Sequence, residues 1–277
     1  MTMQMKGKVA VVTGASMGIG EAIARRFVQE GACVALSSRD LGRTEAARAR
    51  IGVFDRTLAI ACDVSRRSDL EHLRDATLRH FGRLDVWVNN AGYGLSDSVA
   101  DMDMGQCRAM FDTNLFGAIE GMQVAIPVMR KQGSGAIINI SSVAGHLPLP
   151  GKAAYSASKF AMNAIGKAAG MELAGTGINV LTVCPGYIDT NFAENTVKGR
   201  SPLRLGSDPR TGATAELVAK ATLDGYLKRK CEVVVPRSNS LFVLIYQLIP
   251  RLVERTMIRM LQPGSAASDP ARAASRS

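Results

Sequence analysis

Short aliphatic runs alternate with longer stretches of helical periodicity from the start of the chain to about residue 236. Lys8–Thr13, Cys33–Ser37, Thr57–Cys62, Leu84–Val88, Gly135–Ser141, Gly177–Val183 and Cys231–Val235 are rich in β-branched residues and read as buried strands. Between them, Glu21–Glu30, Leu41–Arg50, Ser65–His80, Asp101–Phe111, Asn114–Lys131, the segment from Ala153 onward and Thr214–Lys228 read as helices, with Leu70, Leu73 and Leu78 inward on the third. Strands alternating with helices imply an α/β fold: a doubly wound, Rossmann-type parallel sheet of about seven strands with helices on both faces. No repeat and no domain boundary interrupts residues 1–236. Within them, 187–212 lacks a period and reads as a loop over the substrate. Residues 237–262 return to helical spacing as an amphipathic extension of the same domain, broken at Pro250. Residues 263–277, rich in Ser, Ala, Pro and Arg, read as a disordered tail.

The 277-residue length suits one large domain with a substantial core. Five cysteines without CxxC spacing point to a reducing compartment and to core packing, with no disulfide or metal framework. The N-terminus has no signal-peptide apolar region, and no apolar run is long enough to span a bilayer, so a cytoplasmic protein is expected. A net charge of +10 raises the question of an anionic partner. The basic residues are dispersed without interleaved aromatics, which argues against nucleic acid.

Candidate chemistry begins at the first strand–turn–helix unit. Thr13-Gly14-Ala15-Ser16-Met17-Gly18-Ile19-Gly20 carries glycines where a turn must be tight and where a pyrophosphate could approach the helix N-terminus. At the end of the second strand, Ser37-Ser38-Arg39 offers donors and a bidentate cation, as a 2′-phosphate requires. This favours NADP(H) over NAD(H), with Asp40 assigned to helix capping. Asn89-Asn90-Ala91-Gly92 at another strand end suits an adenine or ribose pocket, or a plain Asn-Gly turn. Asn114, inside an apolar helix, is either a buried structural amide or a polar relay. Tyr155 and Lys159 stand one turn apart on one helix face, where an ammonium would lower the phenol pKa toward neutrality. Ser142, 13 residues before Tyr155, could fold over to the same reacting oxygen.

Together these motifs resemble the short-chain dehydrogenase/reductase family over about Met5–Val235: Thr13-Gly14-xxx-Gly18-x-Gly20, Asp63-Val64, Asn89-Asn90-Ala91-Gly92, Asn114, Ser142, Tyr155-xxx-Lys159 and Pro185-Gly186. The resemblance implies an oxidoreductase that interconverts a carbonyl and an alcohol. Tyr155 would be its general acid/base, Lys159 would tune Tyr155 and hold the nicotinamide ribose, Ser142 would orient the carbonyl and Asn114 would hold a relay water. It implies cofactor contacts at Gly14, Ser16, Met17, Gly18, Ile19, Gly20, Ser38, Arg39, Asp63, Val64, Asn90, Ala91, Gly92, Pro185, Gly186, Ile188 and Thr190. Met17 stands where some NADP-preferring relatives carry a basic residue, which leaves the NADP(H) preference resting on Arg39. NAD(H) with an alcohol dehydrogenase activity is the alternative, and a non-catalytic cofactor sensor or membrane-surface scaffold ranks below both. Tyr93, His146, Leu147 and Tyr187 are expected to line the substrate pocket. The resemblance also implies a homo-oligomer built on the helices that carry Asn114 and Tyr155.

Along 241–261, apolar residues recur at helical spacing beside Arg251, Arg255 and Arg259. A basic amphipathic helix of this kind can lie on an anionic membrane. The reading preferred from sequence packs the stripe over the protein's own cleft or a partner subunit, arginines outward. Similar extensions in family members that act on lipids suggest an apolar substrate.

Overall fold

Successive residues of a strand point to opposite faces of its sheet, so runs apolar at every position need cover on both sides. The computed structural model describes residues 3–190, 192–199 and 212–261. Its strands are β1 Val9–Thr13, β2 Cys33–Ser38, β3 Thr57–Ala61, β4 Val86–Asn89, β5 Leu95–Ser96, β6 Gly135–Ile140, β7 Ile178–Pro185, β8 Val197–Lys198 and β9 Glu232–Val235. Its helices are α1 Gly18–Gln29, α2 Leu41–Ile51, α3 Arg67–Phe81, α4 Met104–Phe111, α5 Gly117–Gln132, α6 Ala153–Glu172, α7 Ala215–Leu227, α8 Ser238–Leu248 and α9 Pro250–Leu261. Seven strands form one parallel sheet in the order β3-β2-β1-β4-β6-β7-β9.

The two faces carry separate apolar layers. Ala10, Val12, Val34, Leu36 and Val88 pack with Ile23 and Phe27 of α1 and with Val218 and Leu223 of α7. Val11, Ala35, Trp87, Ile137 and Val180 pack with Leu70 and Leu73 of α3 and with Met122, Ala125 and Met129 of α5. Leu78 is only partly buried. Neighbouring strand residues such as Ala10 and Val11 thus serve opposite layers. The chain order reverses between β1 and β4, which opens a crevice at their C-terminal ends.

Two local features differ from expectation. The helix expected over Asn114–Lys131 is preceded without a break by α4 and a five-residue π-helical turn, Asp112–Phe116, with Asn114 at its centre. Such turns re-aim side chains, here inward. β5 and β8 pair in a small parallel ribbon, so the segment after β7 folds across the loop after β4. Of the expected 187–212 loop, residue 191 and 200–211 lie outside the described residues, as do 262–277.

The extension forms two helices, with Pro250 starting the second, where its missing N–H costs nothing. It does not bury its apolar stripe in the protein's own cleft: Val243 and Val253 are buried, while Leu241, Phe242, Leu244, Ile245, Leu248, Ile249, Leu252 and Ile258 are exposed. Among the described residues, no helix is long and apolar enough to cross a membrane.

Candidate functional site

The glycine turn between β1 and α1 is built against the end of β4. Gly14 and Gly18 take left-handed φ values of 63° and 58°, which side chains resist. A Cβ on Gly14 would lie 2.8 Å from the Ala91 α-carbon, and one on Gly20 would run into the Asn90 amide. Thr13 Oγ1 accepts from the N–H groups of Asn90 (3.0 Å) and Ala91 (3.1 Å). The Asn90 side-chain amide donates to the carbonyls of Thr13 (2.9 Å) and Gly14 (3.0 Å). Asn90 therefore staples the turn rather than projecting freely. Asn89 turns away from the crevice: it accepts from the Trp87 indole at 2.7 Å and donates to Asn139 at 2.9 Å, inside the core. Met17 precedes α1 without a side-chain cap, so the first N–H groups of that helix stay available to an anion.

At the end of β2, Ser38 Oγ is engaged with Thr44 Oγ1 (2.8 Å) and the Asp40 carbonyl (3.0 Å). Asp40 caps α2 as expected, accepting from the Arg43 N–H at 3.0 Å. Arg39 is exposed. The Asp63 carboxylate accepts from the Ser65 backbone N–H (3.0 Å) and hydroxyl (2.7 Å), and Val64 is buried. Gly92 lies tight against Asn114, whose Oδ1 a Cβ there would approach to 2.9 Å. Asn114 is fully buried, accepting from the Tyr93 N–H (3.0 Å) and donating to the Tyr93 carbonyl (2.9 Å) and the Ser158 hydroxyl (3.4 Å). Its amide thereby ties the loop after β4 to α6.

Ser142 follows β6, accepts from the Ala144 N–H at 3.1 Å and donates to the Pro185 carbonyl at 3.3 Å. Tyr155 and Lys159 share one buried face of α6, and the Lys159 ammonium stands 5.8 Å from the Tyr155 ring centroid while donating to the Ile140 carbonyl at 3.0 Å. Burial pushes the Tyr155 phenol up to about 12; a hydrogen bond with Ser142 pulls it back, and the Cys184 thiol adds to the rise. Burial pushes Lys159 down to about 8. These directions oppose the expected pairing, in which Lys159 lowers Tyr155. Loss of water dominates both groups, and the ammonium is directed at a carbonyl rather than at the phenol oxygen.

Of the expected substrate pocket, Tyr187 remains at the rim, half-buried, its backbone paired with Ala213. Tyr93 packs with Leu95, Met110 and Tyr155, but its phenol is near Thr113 and within the field of Arg39, toward the β2 end of the crevice. His146 and Leu147 expose almost no surface. A short 3₁₀ turn, Val143–Gly145, swings His146 inward onto Asn163 (3.4 Å) and Glu232 (3.5 Å), and burial holds its ring below the usual range. His146, Cys184 and Glu232 bring ligand-type atoms within 4.8 Å of one another, a grouping not foreseen from spacing; the Lys167 ammonium sits 3.3 Å from Glu232 there. The Ile188 side chain packs in the core. Thr190 faces Gly18, 3.6 Å from where a Cβ would stand, across the crevice mouth. Pro185 ends β7, and Gly186 donates its N–H to the Val235 carbonyl at 2.7 Å.

Sequence reasoning missed Phe192, whose ring lies 5.7 Å from that of Tyr155 at 58°, and Cys184, buried beside Tyr155 and Lys159 with its thiol pushed up to about 12 by burial. Phe192 lies in an aperiodic segment, and nothing local marks it. Cys184 is the penultimate residue of β7, a strand whose apolar run does mark it as buried.

A family profile described as short chain dehydrogenase matches residues 8–201. An uncharacterized oxidoreductase of Staphylococcus epidermidis is 39% identical over 193 residues, covering 70% of this chain and 83% of that protein. A ketoacyl reductase of Nostoc sp. is 32% identical over 258 residues, covering 91% of this chain and 88% of that protein. Among solved structures, a short chain dehydrogenase/reductase from Burkholderia phymatum in complex with NAD superposes with a TM-score of 0.81 at 25% identity, covering 90% of this chain and 96% of that one. A 3-ketoacyl-(acyl-carrier-protein) reductase from Brucella melitensis complexed with NADH gives 0.74 at 26%, covering 84% and 98%. With the family profile matching residues 8–201 and its sequence and fold shared with these relatives, the chain belongs to the short-chain dehydrogenase family.

Proposed function

We propose that the protein is an NADP(H)-dependent oxidoreductase that interconverts a ketone or aldehyde and its alcohol on an apolar substrate, working in the cytoplasm as a homo-oligomer. The observation that carries this reading is the convergence of half-buried Ser142 with buried Tyr155 and Lys159 beside the crevice that the glycine turn borders. The residues present fit a dinucleotide: the turn is a cradle that Cβ atoms would fill, and the N-terminus of α1 is uncapped. Gly14, Ser16, Met17, Gly18, Ile19 and Gly20 would hold its pyrophosphate, Asp63, Val64, Asn90, Ala91 and Gly92 its adenosine side, and Pro185, Gly186, Ile188 and Thr190 its nicotinamide side. When bound, the dinucleotide supplies or accepts the hydride.

The chain's own residues then manage the proton and the substrate oxygen. Tyr155, protonated at neutral pH, donates its hydroxyl proton to that oxygen in reduction and takes it back in oxidation. Ser142 offers a second hydroxyl to the same oxygen. Lys159 brings positive charge beneath the phenol, and Asn114 fixes the loop that carries Gly92 and Tyr93. The exposed ring of Phe192 gives the Tyr155 side of the crevice an apolar surface, which suits a lipid-like substrate. Relatives named as ketoacyl reductases point the same way.

NADP(H) rests on Arg39, exposed at the end of β2. NAD(H) is the second reading, favoured by the engagement of Ser38 with Thr44 and Asp40 and by the NAD and NADH in the two solved relatives. Fluorescence titration with NADPH and NADH decides between them. NADPH binding at least ~10-fold tighter, about 1.4 kcal/mol, and lost in Arg39→Ala is the expected result. Equal or tighter NADH binding removes the 2′-phosphate grip and leaves an NAD-linked alcohol dehydrogenase.

A further inference from the structure

The α8–α9 hairpin lies beyond the residues matched by the family profile, and its two helices present different outward faces. At 3.6 residues per turn, Leu241, Phe242, Leu244, Ile245 and Leu248 fall on one arc of α8, opposite Val243. Val243 is 6% exposed and packs inward, whereas Leu241 is 61% and Leu248 71% exposed. The face of α8 opposite Val243 is therefore mostly aliphatic or aromatic, edged by exposed Ser238, Ser240 and Gln247, with no charge on the helix. On α9 the corresponding face, opposite buried Val253, carries Arg251, Arg255 and Arg259 one turn apart, bracketed by exposed Leu252 and Ile258. Glu254 is the only acidic residue of the two helices, and its carboxylate is held by the Tyr246 hydroxyl at 3.3 Å.

We propose that α8 and α9 form a membrane-docking element that seats the protein on an anionic phospholipid surface, with the α8 face immersed and the α9 arginines at the lipid phosphates. Three observations favour this occupant. Exposed apolar side chains on this scale on one element mark an interaction surface rather than ordinary scatter. The arginines supply charge complementarity to anionic headgroups, and helices of 11 and 12 residues are too short to span a bilayer but suited to lying in its interface. A second copy fits less well, because a two-fold contact sets a patch against itself and would bring the arginines toward their own counterparts. The groove behind α8, shared with α7 and β9, is lined by Lys220, Lys228, Lys230 and Arg237 together with Asp224 and Glu232, Asp224 pairing with Lys220 at 2.8 Å. The first turn of α8 also rests on the active-site end of β7, where Asn239 fills the space that a Cβ on Gly186 would take. Docking there would hold the crevice mouth close to the lipid. The proposal does not depend on which cofactor or carbonyl the site accepts.

Co-sedimentation of the full chain with phosphatidylcholine vesicles, with and without phosphatidylglycerol, tests it. Partition onto the anionic vesicles, weakened by salt, is expected. Replacing Arg251, Arg255 and Arg259 by Gln should weaken that partition about 100-fold, at about fivefold per basic residue. Leu244→Glu with Leu248→Glu should abolish it, while NADPH binding stays unchanged in both variants and separates this outcome from a failure of the cofactor reading. The arginine variant keeps the test decisive even if the leucine variant misfolds. No preference for anionic over neutral vesicles, or partition untouched by the arginine changes, overturns the proposal. So does a fall in assembly size in the variants without vesicles, which would give the face to a second copy, or an altered KM for a water-soluble carbonyl, which would give it to the cleft.

Discussion

Lys159 illustrates how a residue can be placed for chemistry at the expense of stability. Its pKa falls from 10.5 to about 8 because burial strips water from the ammonium, so between those values the unfolded chain binds the extra proton. The penalty is fully present below pH 8 and fades as pH rises toward 10.5. At ~1.4 kcal/mol per unit, it amounts to roughly 3 kcal/mol, against about 1 kcal/mol for the hydrogen bond to Ile140. Lys159→Met should therefore melt about 2–4 °C higher than the parent at pH 7, with the gap narrowing between pH 8 and 10. A gap that is absent, or constant with pH, would show that the ammonium is not desolvated. The positions of Tyr155 and Lys159 were legible from their i, i+4 spacing, as was the Asp40 cap. The direction of their pKa shifts was not, because spacing says nothing of solvent. The contact that holds His146 was not legible for a related reason: its partner Glu232 stands 86 residues away in sequence, and only the closed sheet brings them together.

Among the elements, the strands were the most legible, since buried parallel strands announce themselves as unbroken aliphatic runs. Helix starts were less so. α1 begins at Gly18, inside the glycine turn, and α4 begins at Met104 because Asp103 caps it by accepting from the Gln106 N–H at 2.8 Å. The π-helical turn at Asn114 leaves no signature in composition. The β5–β8 ribbon joins two-residue strands that no periodicity could reveal, yet it positions the segment that brings Phe192 over Tyr155. Phe192→Ala should raise KM for an apolar carbonyl by about 10-fold, the value of a lost hydrophobic contact in a pocket, with the NADPH dissociation constant unchanged. Steady-state kinetics on a graded series of ketones reads this out. Unchanged KM across the series would remove Phe192 from the substrate wall.

At the scale of the molecule, the sheet order places its reversal between β1 and β4, and the glycine turn, Arg39 and the Asn90 staple gather around it. The sequence also marked where surface would remain to be covered. Phe116 and Phe160, 52% and 40% exposed, lie on the π-helical turn and on α6, the elements expected to meet a partner subunit. Light scattering should find an oligomer that Phe116→Glu with Phe160→Glu reduces toward monomer; an unchanged mass would move the interface elsewhere. The extension was legible as amphipathic but not in orientation, since periodicity alone cannot say whether a stripe faces the protein or the solvent.

Turnover of a hydrophobic ketone with NADPH, compared between the parent and Tyr155→Phe, tests the central claim most directly. The site described here predicts that removing one hydroxyl lowers kcat by about 10²–10⁴-fold, while NADPH binds both proteins alike. A variant that turns over as fast as the parent would contradict the assignment of Tyr155 as the proton donor and, with it, the reading of the crevice as a carbonyl–alcohol site.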